Sequence, residues 1–157
     1  MRTQEHLQPN TFPHKISKDL IQWMPIVHFK GEVIVVDQEE QVQEAVNYLA
    51  QQKILGIDTE SRPSFKRGVH FPTALLQIAS ETKCYLFRLT KIGMPQSLCN
   101  IFSNKAIAKI GLAFKDDLNG LRRLRDFKPE HCIDIQSMLG NYGILDLGLQ
   151  KIFAICF

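Results

Sequence analysis

Apolar positions recur along this chain with two different periods, and each change of period marks an element. Residues 1–15 are polar and carry Pro9 and Pro13, the pattern of a loose arm. Ser17 is placed to cap a short amphipathic helix over residues 18–24, which Pro25 ends; Trp23 is expected to tuck this arm against the rest of the chain. Residues 32–36 read as a strand. Asp37 then caps a helix through Leu49 whose apolar face is Val42, Ala45, Val46 and Leu49. A second strand runs over 54–60 and is followed by a loop, 62–72, rich in proline, glycine and basic residues. Strands over 73–79 and 83–89 are separated only by Ser80-Glu81-Thr82, which predicts an antiparallel hairpin. A helix over 96–102, a strand over 108–112, a helix over 114–125 and a strand over 132–135 follow. A last helical stretch runs from about residue 144 to the end.

Strands that first meander and then alternate with helices predict the α/β class, with a mixed sheet of five or six strands flanked by helices. Residues 1–30 form the arm and 31–157 a single domain, with no internal repeat or low-complexity linker. A chain of 157 residues, 45% hydrophobic and 22% charged, suits one globular domain and excludes disordered or fibrous classes. The net charge of +3 is compatible with a polyanionic partner without requiring one. Cys84, Cys99, Cys132 and Cys156 are widely spaced with no C-x-x-C pair, which argues against a zinc site and for reduced thiols. No signal-like start and no apolar run of membrane-spanning length is present, so a cytoplasmic protein without membrane contact is expected.

The candidate chemistry lies in carboxylates. In Gly56-Ile57-Asp58-Thr59-Glu60, strand alternation sends Asp58 and Glu60 to one face and Ile57 and Thr59 to the other. Two adjacent anions repel and lose hydration, and a divalent cation between them removes both costs; oxygen ligands suit magnesium or manganese. Asp-x-Glu alone equally describes two solvated acids. A third acid sits in Phe114-Lys115-Asp116-Asp117-Leu118-Asn119-Gly120-Leu121. Helical spacing puts Phe114, Asp117, Leu118, Leu121 and Leu124 on one stripe, and Asp116, Asn119 and Arg123 on a solvated face. Asp116 is explained as a first-turn acid that favours the helix dipole; Asp117, set in the inward stripe, is not. Three carboxylates from a strand and a distant helix are the ligand set that metal-assisted phosphodiester hydrolysis needs.

Basic and aromatic residues surround these positions. Phe65, Lys66, Arg67, His70 and Phe71 lie in the loop after Glu60, and Lys115, Arg122, Arg123 and Arg125 lie on or near the Asp117 helix. Phe65, Lys66, Arg67, His70, Lys115 and Arg122 are the candidate nucleic-acid contacts, the cations for phosphate and Phe65, together with Phe71, for stacking on a terminal base or equally as hydrophobic loop anchors. Each is also what a solvated face carries, and Arg122 and Arg123 cannot point the same way on one helix.

In order along the chain these segments resemble the motifs of the DEDD, or DnaQ-like, 3′–5′ exonucleases. Gly56-Ile57-Asp58-Thr59-Glu60 is similar to the first motif. Ala74-Leu75-Leu76-Gln77-Ile78 with Cys84-Tyr85-Leu86-Phe87 is similar to the hairpin of the ribonuclease D and Werner-type branch. Lys109 through Asp117 resembles the second motif, Asp134 lies where that branch carries a non-catalytic acid, and Leu147-Gly148-Leu149 resembles its leucine-rich helix. The resemblance covers roughly residues 31–157. It implies a ribonuclease H-like fold and two Mg²⁺ or Mn²⁺ ions. Asp58 would bridge both ions, Glu60 would hold the one on the nucleophile side, and Asp117 would serve the other. Nucleoside monophosphates would then be released one at a time from a single-stranded DNA or RNA 3′ end.

The family's third motif, Tyr or His, three residues, then Asp, has one match in form, Tyr142-Gly143-Ile144-Leu145-Asp146. That string precedes the leucine-rich helix instead of following it, and Gly140 and Gly143 mark a turn, so Asp146 is read as a first-turn acid of the next helix. The apolar run Ile152-Phe153-Ala154-Ile155-Cys156-Phe157 has no cap and no polar finish. The chain is therefore expected to lack the last catalytic helices, to have little or no activity, and to expose a C-terminal helix able to self-associate. A non-catalytic nucleic-acid-binding module and a protein-interaction domain are the competing functions.

Overall fold

In a computed structural model of the protein, residues 12–66, 68 and 71–157 are described. Six strands form one mixed sheet: β1 (Glu32–Val36), β2 (Ile54–Ser61), β3 (Thr73–Ala79), β4 (Lys83–Arg88), β5 (Ala108–Gly111) and β6 (Cys132–Asp134). Their order is β1-β4-β3-β2-β5-β6. The pairs β2–β3 and β3–β4 are antiparallel, whereas β1–β4, β2–β5 and β5–β6 are parallel. The short Ser80-Glu81-Thr82 connection permits the antiparallel hairpin, whereas the parallel pairs bring together strands separated by longer stretches of chain.

The chain divides into two compact units, Phe29–Asp134 and a second in which Ile135–Phe157 joins the residues through His28. The first holds the whole sheet with α2 (Glu39–Leu49), α3 (Leu89–Ile92), α4 (Gln96–Ser103) and α5 (Phe114–Leu124). Its core is built from the helical face foreseen in sequence, Val42, Ala45, Val46 and Leu49, and from strand residues Leu55, Ile57, Leu76, Ile78 and Phe87. In β2, Leu55 and Ile57 are buried while Gly56 and Asp58 are exposed, the alternation of a half-covered sheet.

Helix α5 contacts β2, β3 and β6. Gly120 permits this approach at the helix middle, since a Cβ there would lie 2.6 Å from Oγ1 of the buried Thr73. Phe114 and Leu121 are fully buried on the expected stripe and Leu118 packs against the core, but Leu124 is 37% exposed, so the stripe fades at its last turn.

Asp37 does not cap α2. The N-cap is Gln38, and the Gln41 side chain accepts the N–H groups of Asp37 and Gln38 at 3.0 and 3.1 Å. Asp37 instead accepts from Lys91 at 2.8 Å and Arg88 at 3.2 Å, tying the end of β1 to α3 and β4. Tertiary cations outcompete the local cap. The short helix α3 was not foreseen, because the strand pattern ran on to Leu89.

The second unit contains α1 (Lys18–Ile21), α6 (Ile135–Leu139), a 3-10 turn at Gly140–Tyr142 and α7 (Leu149–Cys156). Ser17 caps α1 as expected, its hydroxyl accepting Leu20 N–H at 3.2 Å. Trp23, however, is 82% exposed, against the expectation that it is tucked in. The last helix begins at Leu149, with Gly148 as its N-cap, instead of near residue 144; Gly143, at a left-handed φ of 72°, ends the preceding 3-10 turn. Asp146 lies before α7 and accepts the Lys151 ammonium at 2.7 Å and the Ile16 N–H at 2.9 Å. The Lys151 bond, then the Ile16 N–H, hold its carboxyl below the usual range. Among the described residues no helix is long and apolar enough to cross a membrane.

Candidate active site

Asp58 and Glu60 project from the exposed face of β2, as alternation requires. Asp58 faces Gln77 across the antiparallel β2–β3 pair, and the Gln77 amide donates to its carboxylate at 3.3 Å. The pairing register shifts between Glu60 and Ser61, an irregularity of the kind that re-aims side chains at a sheet end.

Thr59 turns to the other face of β2, toward α5, and its hydroxyl donates to Oδ1 of Asp117. This contact answers the question that the inward position of Asp117 raises: the carboxylate is half-buried but hydrogen-bonded. Burial pushes the Asp117 carboxyl above its ordinary range; the Thr59 bond opposes that shift, while the charges of Asp58, Asp116 and Glu60 reinforce it. Among the described residues, no three histidine, cysteine, aspartate or glutamate side chains are grouped closely enough to hold a metal ion. The three acids of the expected ligand set are thus neighbours in charge but not one cluster. Thr59 carried no signal of its own in the sequence beyond its place between the two acids.

A second residue outside the expected ligand set positions the helix that bears Asp117. Asp134, at the end of β6, accepts the N–H groups of Ala113 and Phe114 at 3.1 and 3.0 Å. Ala113 adopts a left-handed conformation (φ 53°, ψ 36°) and has no side chain able to cap the helix, so a carboxylate from a neighbouring strand serves instead. The acid noted in sequence as non-catalytic therefore anchors the N-terminus of α5.

The nucleic-acid candidates fall in separate places. Phe65 is 98% exposed and Lys66 is exposed beside it in the loop after β2. Arg67 and His70 lie outside the described residues. Phe71 stacks under the Arg62 guanidinium, 5.0 Å from ring centroid to carbon, which accounts for it as a loop anchor. Lys115 and Arg122 are exposed on α5 and line a cleft of about 270 Å³ with Asn119, Cys132 and Asp134; Asp117 is not in its wall. Arg122 also pairs with Asp126 at 3.1 Å. The cations of α5 and the acids of β2 therefore do not line one described cavity.

Residues 33–151 match the 3′–5′ exonuclease family model, well over half of the chain. The bifunctional 3′–5′ exonuclease/ATP-dependent helicase WRN of Mus musculus is 29% identical over 118 residues, covering 71% of this chain and 8% of that protein. The mouse exonuclease 3′–5′ domain-containing protein 2 is 28% identical over 124 residues, covering 73% of this chain and 19% of its own length. This chain thus spans a small part of either relative. Among solved structures, the EXD2 exonuclease domain soaked in Mg and GMP superposes with a TM-score of 0.61 at 26% identity over 71% of this chain and 60% of that one. Trypanosoma brucei RNase D in complex with RNA U12 gives a TM-score of 0.63 at 23% identity over 71% of this chain and 40% of its own, a likeness of fold. The catalytic core of RRP6 from the same organism gives 0.68 at 17% identity over 90% of this chain and 36% of its own, again a likeness of fold. The mixed six-stranded sheet flanked by helices is the ribonuclease H-like fold of these exonucleases, and this chain belongs to the DEDD 3′–5′ exonuclease family, in its ribonuclease D and Werner-type branch.

Proposed function

We propose that this chain is a metal-dependent exonuclease domain that releases nucleoside monophosphates from a single-stranded DNA or RNA 3′ end. The observation that carries this reading is Asp117, an acid kept half-buried on α5 within the field of Asp58 and Glu60. The Thr59 hydroxyl satisfies one oxygen of this carboxylate, and a cation would relieve the remaining repulsion from Asp58 and Glu60. The donor set is all oxygen, which fits Mg²⁺ or Mn²⁺. A bound divalent ion would supply an activated water and charge neutralisation at phosphorus. In this chain Asp58, Glu60 and Asp117 would hold the ions, Gln77 would orient Asp58, and Lys66, Arg67, His70, Lys115 and Arg122 would supply phosphate contacts. Phe65, fully solvated on its loop, stacks on the terminal base.

The only Tyr-x3-Asp string in the sequence ends at Asp146, which is committed to Lys151 and the Ile16 N–H. Slow turnover by these 157 residues is part of this proposal. One observation favours a second reading, a nucleic-acid-binding module without catalysis: the three acids do not form one group among the described residues. Mn²⁺-dependent release of mononucleotides from a 3′-labelled single strand, compared between wild type and Asp58→Ala, tests the choice. Release by wild type alone supports the exonuclease; strand binding with equal, background release by both supports the module.

Helix α7 buries Ile152 and Ile155 but leaves Leu149, Phe153 and Phe157 exposed, and self-association through this face is part of the proposal. Sedimentation that is independent of concentration would refute that part. Burial raises the thiols of Cys99, Cys84 and Cys132, which supports unreactive cysteines; a cytoplasmic location is part of the proposal.

A further inference from the structure

We infer that Thr59 is a positioning residue for Asp117, an inference that rests on the exonuclease reading above and adds a residue to its machinery. Thr59 stands between two acids in sequence, yet alternation turns it through the sheet to the face that α5 covers. There its hydroxyl donates to Oδ1 of Asp117. Oδ2 accepts none of the described hydrogen bonds, and among the described residues Asp117 forms no ion pair. One oxygen is held and the other is left for an ion or its water.

The geometry around this contact is rigid on both sides. The strand residue is β-branched, so its χ1 has few alternatives. The helix is fixed at its N-terminus by Asp134 on the Ala113 and Phe114 N–H groups, and at its middle by the close approach of Gly120 to Thr73. The three-residue segment Asp58–Glu60 thus presents side chains on both faces of β2. Asp58 and Glu60 offer carboxylates on one side, and Thr59 aims the third from the other. Hydrogen-bond partners that orient a metal ligand typically govern affinity by about 10-fold to 100-fold, so removing this hydroxyl is expected to weaken divalent-ion binding by roughly 10-fold.

The test is Mn²⁺ titration of the 157-residue chain, read by the electron paramagnetic resonance of free Mn²⁺, with thermal midpoints taken in EDTA. Thr59→Val keeps the shape and removes the donor, and Thr59→Ser keeps the donor. The expected result is a roughly 10-fold loss in Thr59→Val and recovery of most of it in Thr59→Ser. Thr59→Val is expected to add no further loss in an Asp117→Ala background. Thr59→Ala replaces the valine variant if that one does not fold. Wild-type affinity in Thr59→Val, while Asp58→Ala and Asp117→Ala bind weakly, would overturn the positioning role and leave the exonuclease reading standing. An equal loss with and without Asp117 would overturn it too, because the effect would not pass through that carboxylate. Absence of Mn²⁺ binding in wild type, or unchanged binding in Asp58→Ala, would remove the exonuclease reading and this inference together.

Discussion

The carboxylate of Asp134 accepts the backbone N–H of Phe114 at 3.0 Å, so the last residue of β6 fastens the first residue of the helix that carries Asp117. The same carboxylate takes the Ala113 N–H, and it does so across 21 residues of chain. Asp134→Ala is expected to destabilise the fold by about 2 kcal/mol, the upper range for losing a helix cap, with Asp134→Asn costing less. Ala113→Gly is expected to be neutral or stabilising by up to about 1 kcal/mol, since glycine tolerates the left-handed backbone. Urea unfolding checks both, and an unaffected Asp134→Ala would contradict the anchoring role.

Gly120 sets a second constraint on the same helix. Alanine is the better helix former by about 1 kcal/mol, but here its Cβ would sit 2.6 Å from Thr73 Oγ1. Gly120→Ala is expected to cost about 1–2 kcal/mol in wild type as overpacking. In a Thr73→Ala background the sign is expected to reverse, because the obstructing oxygen is gone. Urea midpoints of the four proteins decide; a stabilising Gly120→Ala in wild type would show that the helix can shift away.

Lys109 is fully buried in β5, with its ammonium donating to the carbonyls of Asn104 at 2.6 Å and Ile107 at 2.9 Å. Lys109→Met keeps the apolar stem and abandons two carbonyl acceptors, that of Ile107 buried and that of Asn104 part-buried, so a loss of about 2 kcal/mol is expected. Burial depresses the Lys109 pKa. Between that depressed value and its unfolded value the unfolded chain binds more protons, so stability rises with pH there. The margin of wild type over Lys109→Met is therefore expected to widen in alkali, as measured by urea unfolding at neutral and alkaline pH. A constant margin would argue that the ammonium is not buried.

The Asp37 carboxyl is held below its ordinary range, first by the hydrogen bond from Lys91 and then by the charges of Lys91 and Arg88. A depressed acid contributes stability that is complete above its unfolded pKa and is lost as pH falls through the folded one. The advantage of wild type over Asp37→Asn is thus expected to be largest at neutral pH and to fade below about pH 4. Urea midpoints at several pH values measure it. An advantage that persists in acid would assign the effect to packing instead of charge.

Much of the fold was legible before any coordinates. The period-two runs placed the strands to within a residue or two, and the Val42–Leu49 stripe identified the inner face of α2. Hairpin pairing of β3 with β4 followed from the shortness of Ser80-Glu81-Thr82. The ends of elements were less legible. Asp37 is a good local cap by residue type, yet two cations distant in sequence claim it. The start of α7 lies at its Gly148 N-cap, where the helical period had run on regardless from residue 144.

What the sequence determined by itself was periodic and local: the class of fold, the faces of its elements, and the types and order of the acids Asp58, Glu60 and Asp117. Those follow from side-chain direction, which alternates in a strand and winds in a helix whatever lies around it. The tertiary structure alone decided which partners those acids have. Gln77 meets Asp58 through strand register, Asp134 anchors α5 through a parallel pair, and Thr59 meets Asp117 because a helix crosses the face its neighbours leave. Hydrogen bonds between residues far apart in the chain carry no period, so no pattern along the chain announces them. They exist only once packing has brought the elements within about 3 Å of one another.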